Sequence, residues 1–362
     1  MRMAAPAPGQ KIKVGVLGAT GSVGQRFMQL LNGHPWFDVV ALGASPRSAG
    51  KTYEDAVNWK QSVPIPPAMA PLVVSECKPD APVFKDVKIV FSGLDANFAG
   101  EVEEAFAKAD VAVFSNAKNH RYDSDVPILI PPVNLDHLDI IPAQRKARGY
   151  DKGFIITNAN CSTTAMAIGI KPLAAKFGIE TIMVTTMQAI SGAGYPGLSG
   201  MDVLDNVVPY IGGEEVKMET ESRKILGTVQ NSVFVDADVN VAAMCNRVNV
   251  LDGHLECLSI KLANKATAEE VIDCIKTYPS ITKDLGLPSA PDHDVVYNPS
   301  HDRPQPRMDR MVGDGYTVTV GRVRDCNVFD IRMVVFGHNT IVGAAGGSLL
   351  NAELCVVRDL IN

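Results

Sequence analysis

The 362-residue sequence predicts an α/β protein in two parts. A doubly wound parallel sheet comes first, and an α+β unit with a mixed, mostly antiparallel sheet follows. Three observations carry this reading. Short apolar runs alternate with amphipathic helical stretches through the first 158 residues. Glycines 18, 21 and 24 separate the first apolar run from the first helical stretch. Beyond residue 179 long strand-like stretches succeed one another with few helices between them.

The first strand, 12–17 in "KIKVGVLGATGSVGQRFMQLL", is too apolar to have a solvent face, and the helix after it buries Phe27, Leu30 and Leu31. Glycines between such a strand and helix let the backbone approach a pyrophosphate, while the helix N-terminus supplies amide donors. The spacing is GxxGxxG rather than GxGxxG, so a plain glycine turn is the competing reading; the strand–turn–helix context favours a Rossmann-type dinucleotide site. The second strand, 38–45, carries no acidic residue at its end to hold a ribose 2′-hydroxyl. It runs into "GASPRSAGK", where Ser45, Arg47, Ser48 and Lys51 are placed to surround a 2′-phosphate, and NADP is expected over NAD. The alternative is a solvated basic loop. Strands at 87–94 and 110–117 flank an acidic amphipathic helix at 101–109, and a further buried strand is expected at 153–157. "FSGLDA" and "FSNAKNHR" fall at strand ends, where such sheets bind ligands, so Arg121 is a candidate anion contact or else an ordinary surface arginine.

"NANCSTT" then puts one cysteine, Cys161, between a buried strand and a helix whose apolar stripe runs through Ala165, Ile168 and Leu173. A thiol at a helix start is expected to ionise more readily, because the helix dipole favours the thiolate. In the second part, 180–194 and 239–263 read as long strands, and 316–339 as a strand pair joined by a short turn. The stretch 267–278 opens with a capping box, and 287–307 is a Pro- and Asp-rich irregular excursion. The end of the chain forms a helix after a small-residue loop and is expected to return to the nucleotide-binding part. That places the units at 1–158 with 340–362, and at 159–339. His254 stands in the turn-like "LDGHLE", more exposed there than inside a strand, and Arg247 and Gln188 lie near strand ends. Glu214 and Lys217 share one face if their segment is helical, which by itself is compatible with a solvated ion pair.

Composition removes several classes. Charged residues are 20% and hydrophobic residues 46% of the chain, an ordinary globular balance. A net charge of −6 gives no general attraction to nucleic acid or anionic membrane. No apolar run reaches membrane-spanning length, and the lead-in 1–11 reads as disordered rather than as a secretory signal. The seven cysteines are scattered with no CxxC pair, so a disulfide framework or metal site is not expected; His254 and Cys257 form at most half of one. A reducing, cytoplasmic setting follows.

Taken in order, "VGVLGATGSVGQRF", "FSNAKNHRYDSDVPILIPPVN", "TNANCSTT", "QAISGAGYPG", "NRVNVLDGHLE", "DRPQPRMDR" and "GAAGGSLLNAEL" resemble the aspartate-semialdehyde dehydrogenases, specifically the fungal and archaeal branch, over nearly the whole chain. The resemblance implies reversible conversion of L-aspartate 4-semialdehyde, phosphate and NADP into L-4-aspartyl phosphate and NADPH, serving lysine, methionine and threonine synthesis. It implies Cys161 as nucleophile, His254 as acid/base and Gln188 as the group orienting the acyl intermediate. Arg247 would clamp the substrate carboxylate and Glu214, or its neighbour Glu215, would face the substrate ammonium. Lys217, Arg121 and Asn160 would bind phosphate. Cofactor contacts are expected at Gly18, Thr20, Gly21, Ser22, Val23 and Gly24, at Ser45, Arg47 and Ser48, at Ser92 and Gly93, and at Ser191, Gly192, Gly343 and Gly346. A homodimer or homotetramer, small-molecule substrates and no metal complete the expectation. Two rival readings are a malonyl-CoA reductase-like acyl-thioester reductase of the same architecture and a catalytically silent nucleotide-binding module; Glu214 with Arg247 argues for an amino acid over CoA.

Overall fold

The computed structural model describes Pro6 and residues 9–361, so most of the lead-in lies outside the described residues. The first six strands are β1 (Ile12–Leu17), β2 (Phe37–Ala44), β3 (Val74–Glu76), β4 (Ile89–Ser92), β5 (Ala112–Ser115) and β6 (Phe154–Thr157). They form one sheet in the order β3-β2-β1-β4-β5-β6, parallel throughout. This is the doubly wound dinucleotide-binding arrangement, with a crevice where the order reverses between β1 and β4. β4, β5 and β6 are wholly buried, as strands covered on both faces must be. Helices α1 (Ser22–Leu30), α2 (Ala96–Lys108) and α3 (Ile141–Arg148) belong to this part. The final helix, α7 (Gly346–Val357), buries Leu349, Leu350 and Leu354 in the same core as Val14, Phe27 and Phe91.

The second sheet collects β7 (Ile179–Gln188), β8 (Asn240–Arg247), β9 (His254–Leu262), β10 (Val295–Asn298), β11 (Val318–Asp325) and β12 (Ile331–Gly337). Its order is β8-β7-β9-β12-β11-β10. The three inner pairings are antiparallel and the two outer ones parallel, which makes the sheet mixed. The excursion 287–307 conceals the edge strand β10. Helix α4 (Cys161–Phe177) leaves the end of β6 and lies across this sheet, burying Met166, Ile170 and Leu173 with Ile260, Met333 and Val335. Helices α5 (Glu214–Leu226) and α6 (Ala268–Lys276) pack on the same core. α6 has both halves of its capping box, Thr267 and Glu270. The start of α4 is therefore the point where the two sheets meet.

Candidate active site

Asn160 caps α4: its Oδ1 accepts from the Ser162 and Thr163 amides at 3.0 and 3.1 Å, which fixes Cys161 as the first helical residue. Cys161 Sγ lies 3.2 Å from His254 Nε2. The other ring nitrogen, Nδ1, accepts the Ala189 N–H at 3.0 Å. A nitrogen that accepts from an amide carries no hydrogen, so the imidazole is neutral with its proton on Nε2, beside the sulfur. His254 is the first residue of β9 and has no exposure, contrary to the exposed turn expected from sequence; the turn is completed at Gly253 (φ +100°) and the strand starts immediately after it. Burial drives the His254 pKa down to about 3.

The expectation for the thiol also needs correction. Burial, and next the charge of Glu214, push Cys161 up to about 12, against the opposing pull of Arg247 and Arg121. The helix start acts in the expected direction, but desolvation of the charged form outweighs it. Without substrate the pair is a thiol beside a neutral imidazole.

Around this pair lies a cleft of about 570 Å³ lined by Arg121, Asn160, Cys161, Gln188, Glu214, Lys217 and Arg247, together with Ser22, Val23, Ser191, Gly192 and Gly343. Gln188 and Arg247 are register partners at the ends of the parallel strands β7 and β8. Arg247 donates from Nη1 to the Ala189 carbonyl at 2.7 Å, and its backbone is bridged on both sides to Val208. Glu214 opens α5 and is buried. Its Oε1 accepts from Asn160 Nδ2 at 2.7 Å and its Oε2 from Lys217 Nζ at 3.0 Å. Burial works against ionisation of this carboxylate, but Lys217 and the Asn160 amide more than offset it, and its pKa is lowered. Glu215 is turned elsewhere, accepting the Cys245 amide at 3.1 Å. Only the first glutamate of the pair reaches the cleft.

The cofactor candidates divide into three sets. Gly18, Thr20, Gly21, Ser45 and Gly93 line an adjoining groove of about 430 Å³ that also contains Glu76 and Lys78. Ser22, Val23, Ser191, Gly192 and Gly343 line the catalytic cleft. The others stand off. Arg47 is exposed, and neither it nor Ser48 lines the groove. The Ser92 hydroxyl is buried and donates to Glu103 Oε1 at 2.6 Å. Gly24 and Gly346 serve close packing: a Cβ on Gly24 would sit 2.2 Å from the Gly18 carbonyl, and one on Gly346 2.8 Å from the Tyr316 ring. Gly18 and Gly343 are hemmed in by the protein in the same way. A Cβ on Gly18 (φ +71°) would meet the Gly93 carbonyl at 2.6 Å, and one on Gly343 would meet Cys161 Cβ at 3.0 Å. The glycine-lined groove adjoins the cleft through Leu94 and Asp95, and the two together have the room and the exposed backbone to fit a dinucleotide.

Sequence reasoning missed several contributors. Asn339 donates to Ser191 Oγ at 2.9 Å and accepts the Gly253 amide at 2.8 Å, linking the histidine turn to the small-residue loop. Lys78 lies in the groove, paired with Glu76 at 2.7 Å. Glu221 bonds both Arg121 and the Asn160 amide; its spacing of seven from Glu214 is the one signal that placed it on the same helix face.

Comparison with known proteins agrees with this geometry. The family profiles of the semialdehyde dehydrogenase NAD binding domain and of its dimerisation domain match residues 13–141 and 170–342. The aspartate-semialdehyde dehydrogenase of Cryptococcus neoformans is 51% identical over 363 residues, which cover 98% of this chain and 100% of that protein. The chain belongs to the aspartate-semialdehyde dehydrogenase family. An archaeal member, from Methanothermobacter thermautotrophicus, is 47% identical over 345 residues, 95% of this chain and 98% of that protein. The crystal structure of the Candida albicans aspartate-semialdehyde dehydrogenase with NADP matches at a TM-score of 0.90 and 48% identity, over 97% of this chain and 100% of that one. These relatives are dehydrogenases of the aspartate semialdehyde, not reductases of CoA thioesters. Among the described residues no helix is long and apolar enough to cross a membrane.

Proposed function

We propose that this chain catalyses the reversible, phosphate-dependent oxidation of L-aspartate 4-semialdehyde to L-4-aspartyl phosphate with NADP, the reverse direction supplying lysine, methionine and threonine synthesis. The observation that carries the reading is Cys161 Sγ at 3.2 Å from His254 Nε2, at a helix start inside a cleft that also holds a cationic Arg247 and an anionic Glu214. A zwitterionic amino acid fits that pair of charges. Arg247 takes the α-carboxylate, a planar acceptor suited to a guanidinium fork. Glu214 takes the ammonium, and in doing so covers the negative charge that opposes ionisation of Cys161.

Cys161 is the nucleophile. Its sulfur attacks the aldehyde carbon to give a thiohemiacetal, which on oxidation becomes a thioester; phosphate then displaces the thiolate. In the other direction the sulfur attacks the acyl phosphate and phosphate leaves. A thiol suits both roles because its anion is a good nucleophile and a good leaving group. Gly18, Thr20, Gly21, Ser45 and Gly93 would hold NADP, which would supply a hydride acceptor in one direction and a hydride donor in the other. His254 is the acid/base: as the sulfur adds, Nε2–H gives its proton to the aldehyde oxygen and Nε2 takes the Cys161 thiol proton in its place, so the ring is neutral before and after. Gln188 orients the acyl group, and Lys217, Arg121 and Asn160 hold phosphate. The cofactor groove runs from Gly18 and Ser45 to Gly343.

The chain is read as a nucleotide-binding unit over 1–158, completed by 340–362, and a catalytic unit over 159–339. A homodimer, itself open to pairing as a tetramer, is supported by the exposed apolar residues Met183, Met201, Leu204, Val207, Tyr210, Val216 and Met244 around the outer β7–β8 side of the second sheet. Seven free cysteines support a reducing, cytoplasmic setting.

The test is the appearance of reduced nicotinamide from NADP and L-aspartate 4-semialdehyde, with and without phosphate, in wild type and Cys161→Ala. The expected signal requires phosphate and is lost in the variant. Folded wild type with no signal overturns the reading.

A further inference from the structure

We propose that Glu221 is a positioning residue that fixes the phosphate-binding Arg121 relative to the nucleophile Cys161. The inference deepens the function proposed above and rests on it.

Glu221 lies on α5 and has no exposure. Its Oε2 accepts the backbone N–H of Asn160, the residue before Cys161, at 2.6 Å. Its Oε1 accepts from Arg121 Nη1 at 2.9 Å. One carboxylate therefore touches two turns that leave different strands, the one after β5 carrying Arg121 and the one after β6 carrying Cys161. Arg121 is itself 6% exposed, and a second donor, Nη2, goes to the Asn116 carbonyl at 3.1 Å. Its Nε is buried without a partner, while the residue lines the catalytic cleft. The guanidinium is thus pinned through its two terminal nitrogens, each of which has a second N–H beyond these bonds to offer an anion.

The next turn of the same helix holds the backbone of that loop. Lys224 Nζ donates to the carbonyls of Arg121, Asp123 and Val126 at 2.9, 2.8 and 2.7 Å. Side chain and main chain of Arg121 are set by one helix, and Glu214 and Lys217, on its first turn, already face the cleft.

A buried ion pair is a poor device for stability alone, since its desolvation cost offsets most of its attraction. Position is a better account here. Phosphorolysis of a thioester requires the phosphate oxygen to meet the acyl carbon at about 3–3.5 Å, and displacement by about 1 Å costs on the order of a hundredfold in rate. A carboxylate bonded to both the phosphate anchor and the nucleophile's turn sets that separation directly.

The experiment compares wild type, Glu221→Gln and Glu221→Asp in the oxidative direction, with phosphate, aldehyde and NADP each varied. Glutamine keeps the shape but loses the charge and one acceptor; aspartate keeps the charge but is too short to span both partners. The expected result for each is a KM for phosphate raised about tenfold or more, with the KM values for aldehyde and NADP within about twofold of wild type. As a readout independent of turnover, more inorganic phosphate is needed to protect Cys161 from alkylation by iodoacetamide. A folded variant with lower thermal stability but unchanged phosphate KM and unchanged protection makes Glu221 structural only and overturns the proposal. If neither variant folds, the carboxylate serves the fold and the proposal is likewise withdrawn. Wild type lacking phosphate-dependent NADP reduction would instead refute the function itself, so the two failures are distinguishable.

Discussion

Replacing Asn160 by aspartate changes one atom's chemistry at the most densely bonded point of the site. In wild type Oδ1 caps α4 and Nδ2 donates to Glu214 Oε1 at 2.7 Å. The introduced aspartate would keep the cap, but it would bring a second carboxylate oxygen to where the amide donor was. Two unit charges 2.7 Å apart repel by about 6 kcal/mol at an effective dielectric of about 20. Protonating one of two carboxyls of ordinary pKa at pH 7 costs about 4 kcal/mol, at about 1.4 kcal/mol for each unit of pH above about 4. Protonation is the cheaper course, so the folded variant takes up a proton that the unfolded chain does not hold. The sign follows from that. The folded state binds more protons between about pH 4 and the raised pKa of the pair, so stability relative to wild type falls as pH rises. Lys217, 3.0 Å from Glu214 Oε2, reduces the size of the effect without changing its sign.

Urea unfolding of wild type, Asn160→Asp and Asn160→Ala at several pH values between 5 and 8 reads this directly. The aspartate variant should lose about 1 kcal/mol relative to wild type near pH 5 and about 4 kcal/mol near pH 7. The alanine variant loses the cap, worth about 1 kcal/mol, and a charge-assisted hydrogen bond worth about 1.5–3 kcal/mol, with a slope only at the acid end of this range, where Glu214 without its amide donor ionises less readily. If the aspartate variant runs parallel to wild type, Nδ2 does not face Glu214 and the reasoning fails.

Two further outcomes test other parts of the reading. Lys78→Ala should raise the KM for NADP more than that for NAD, because Lys78 and Ser45 line the groove whereas Arg47 does not; equal effects on the two cofactors, or the same selectivity from Arg47→Ala instead, refute that placement. Burial drives His254 down to about 3 and His338 to about 4, so below about pH 6.5 the unfolded chain gains protons that the fold refuses, and stability falls with falling pH by about 1.4 kcal/mol per unit for each ring. His338→Gln should remove one share of that slope in acid unfolding; an unchanged slope shows that His338 titrates normally in the fold.

What the sequence made legible depended on how local each cause was. β1 at 12–17 and the capping box at Thr267 are set by neighbours within a few positions, and periodicity reads them directly. The parallel first sheet follows from the alternation of strands and helices. The edge strand β10 escaped notice because four residues inside a Pro-rich excursion offer too few alternations to register, and its strand character comes from pairing with β11. The thiol was misjudged for a related reason. A helix start is visible in sequence, whereas the surroundings that outweigh it, with Glu214 on α5 and His254 on the second sheet beside Cys161, are assembled only by tertiary packing. His254 likewise reads as the tip of a turn until the paired strands β7 and β12 enclose it.

The same distinction explains why the side chains named by motif were the easier half of the site. Cys161, Gln188, Arg247 and His254 stand at strand or helix ends, where chain direction alone brings them together. Glu221 and Lys224 act on residues about a hundred positions away: 100 separate Glu221 from Arg121 and 103 separate Lys224 from the Arg121 carbonyl. From the sequence alone their helix looks like a solvated, salt-bridged surface, since its mean composition is polar and its charges alternate. Only the packing of α5 against the loop after β5 turns one stripe of it inward. Charges on that stripe cannot be there for burial energy, because each costs desolvation. On the proposal made above their role is geometric, since the turns carrying Arg121 and Cys161 leave different strands and one helix bonds both.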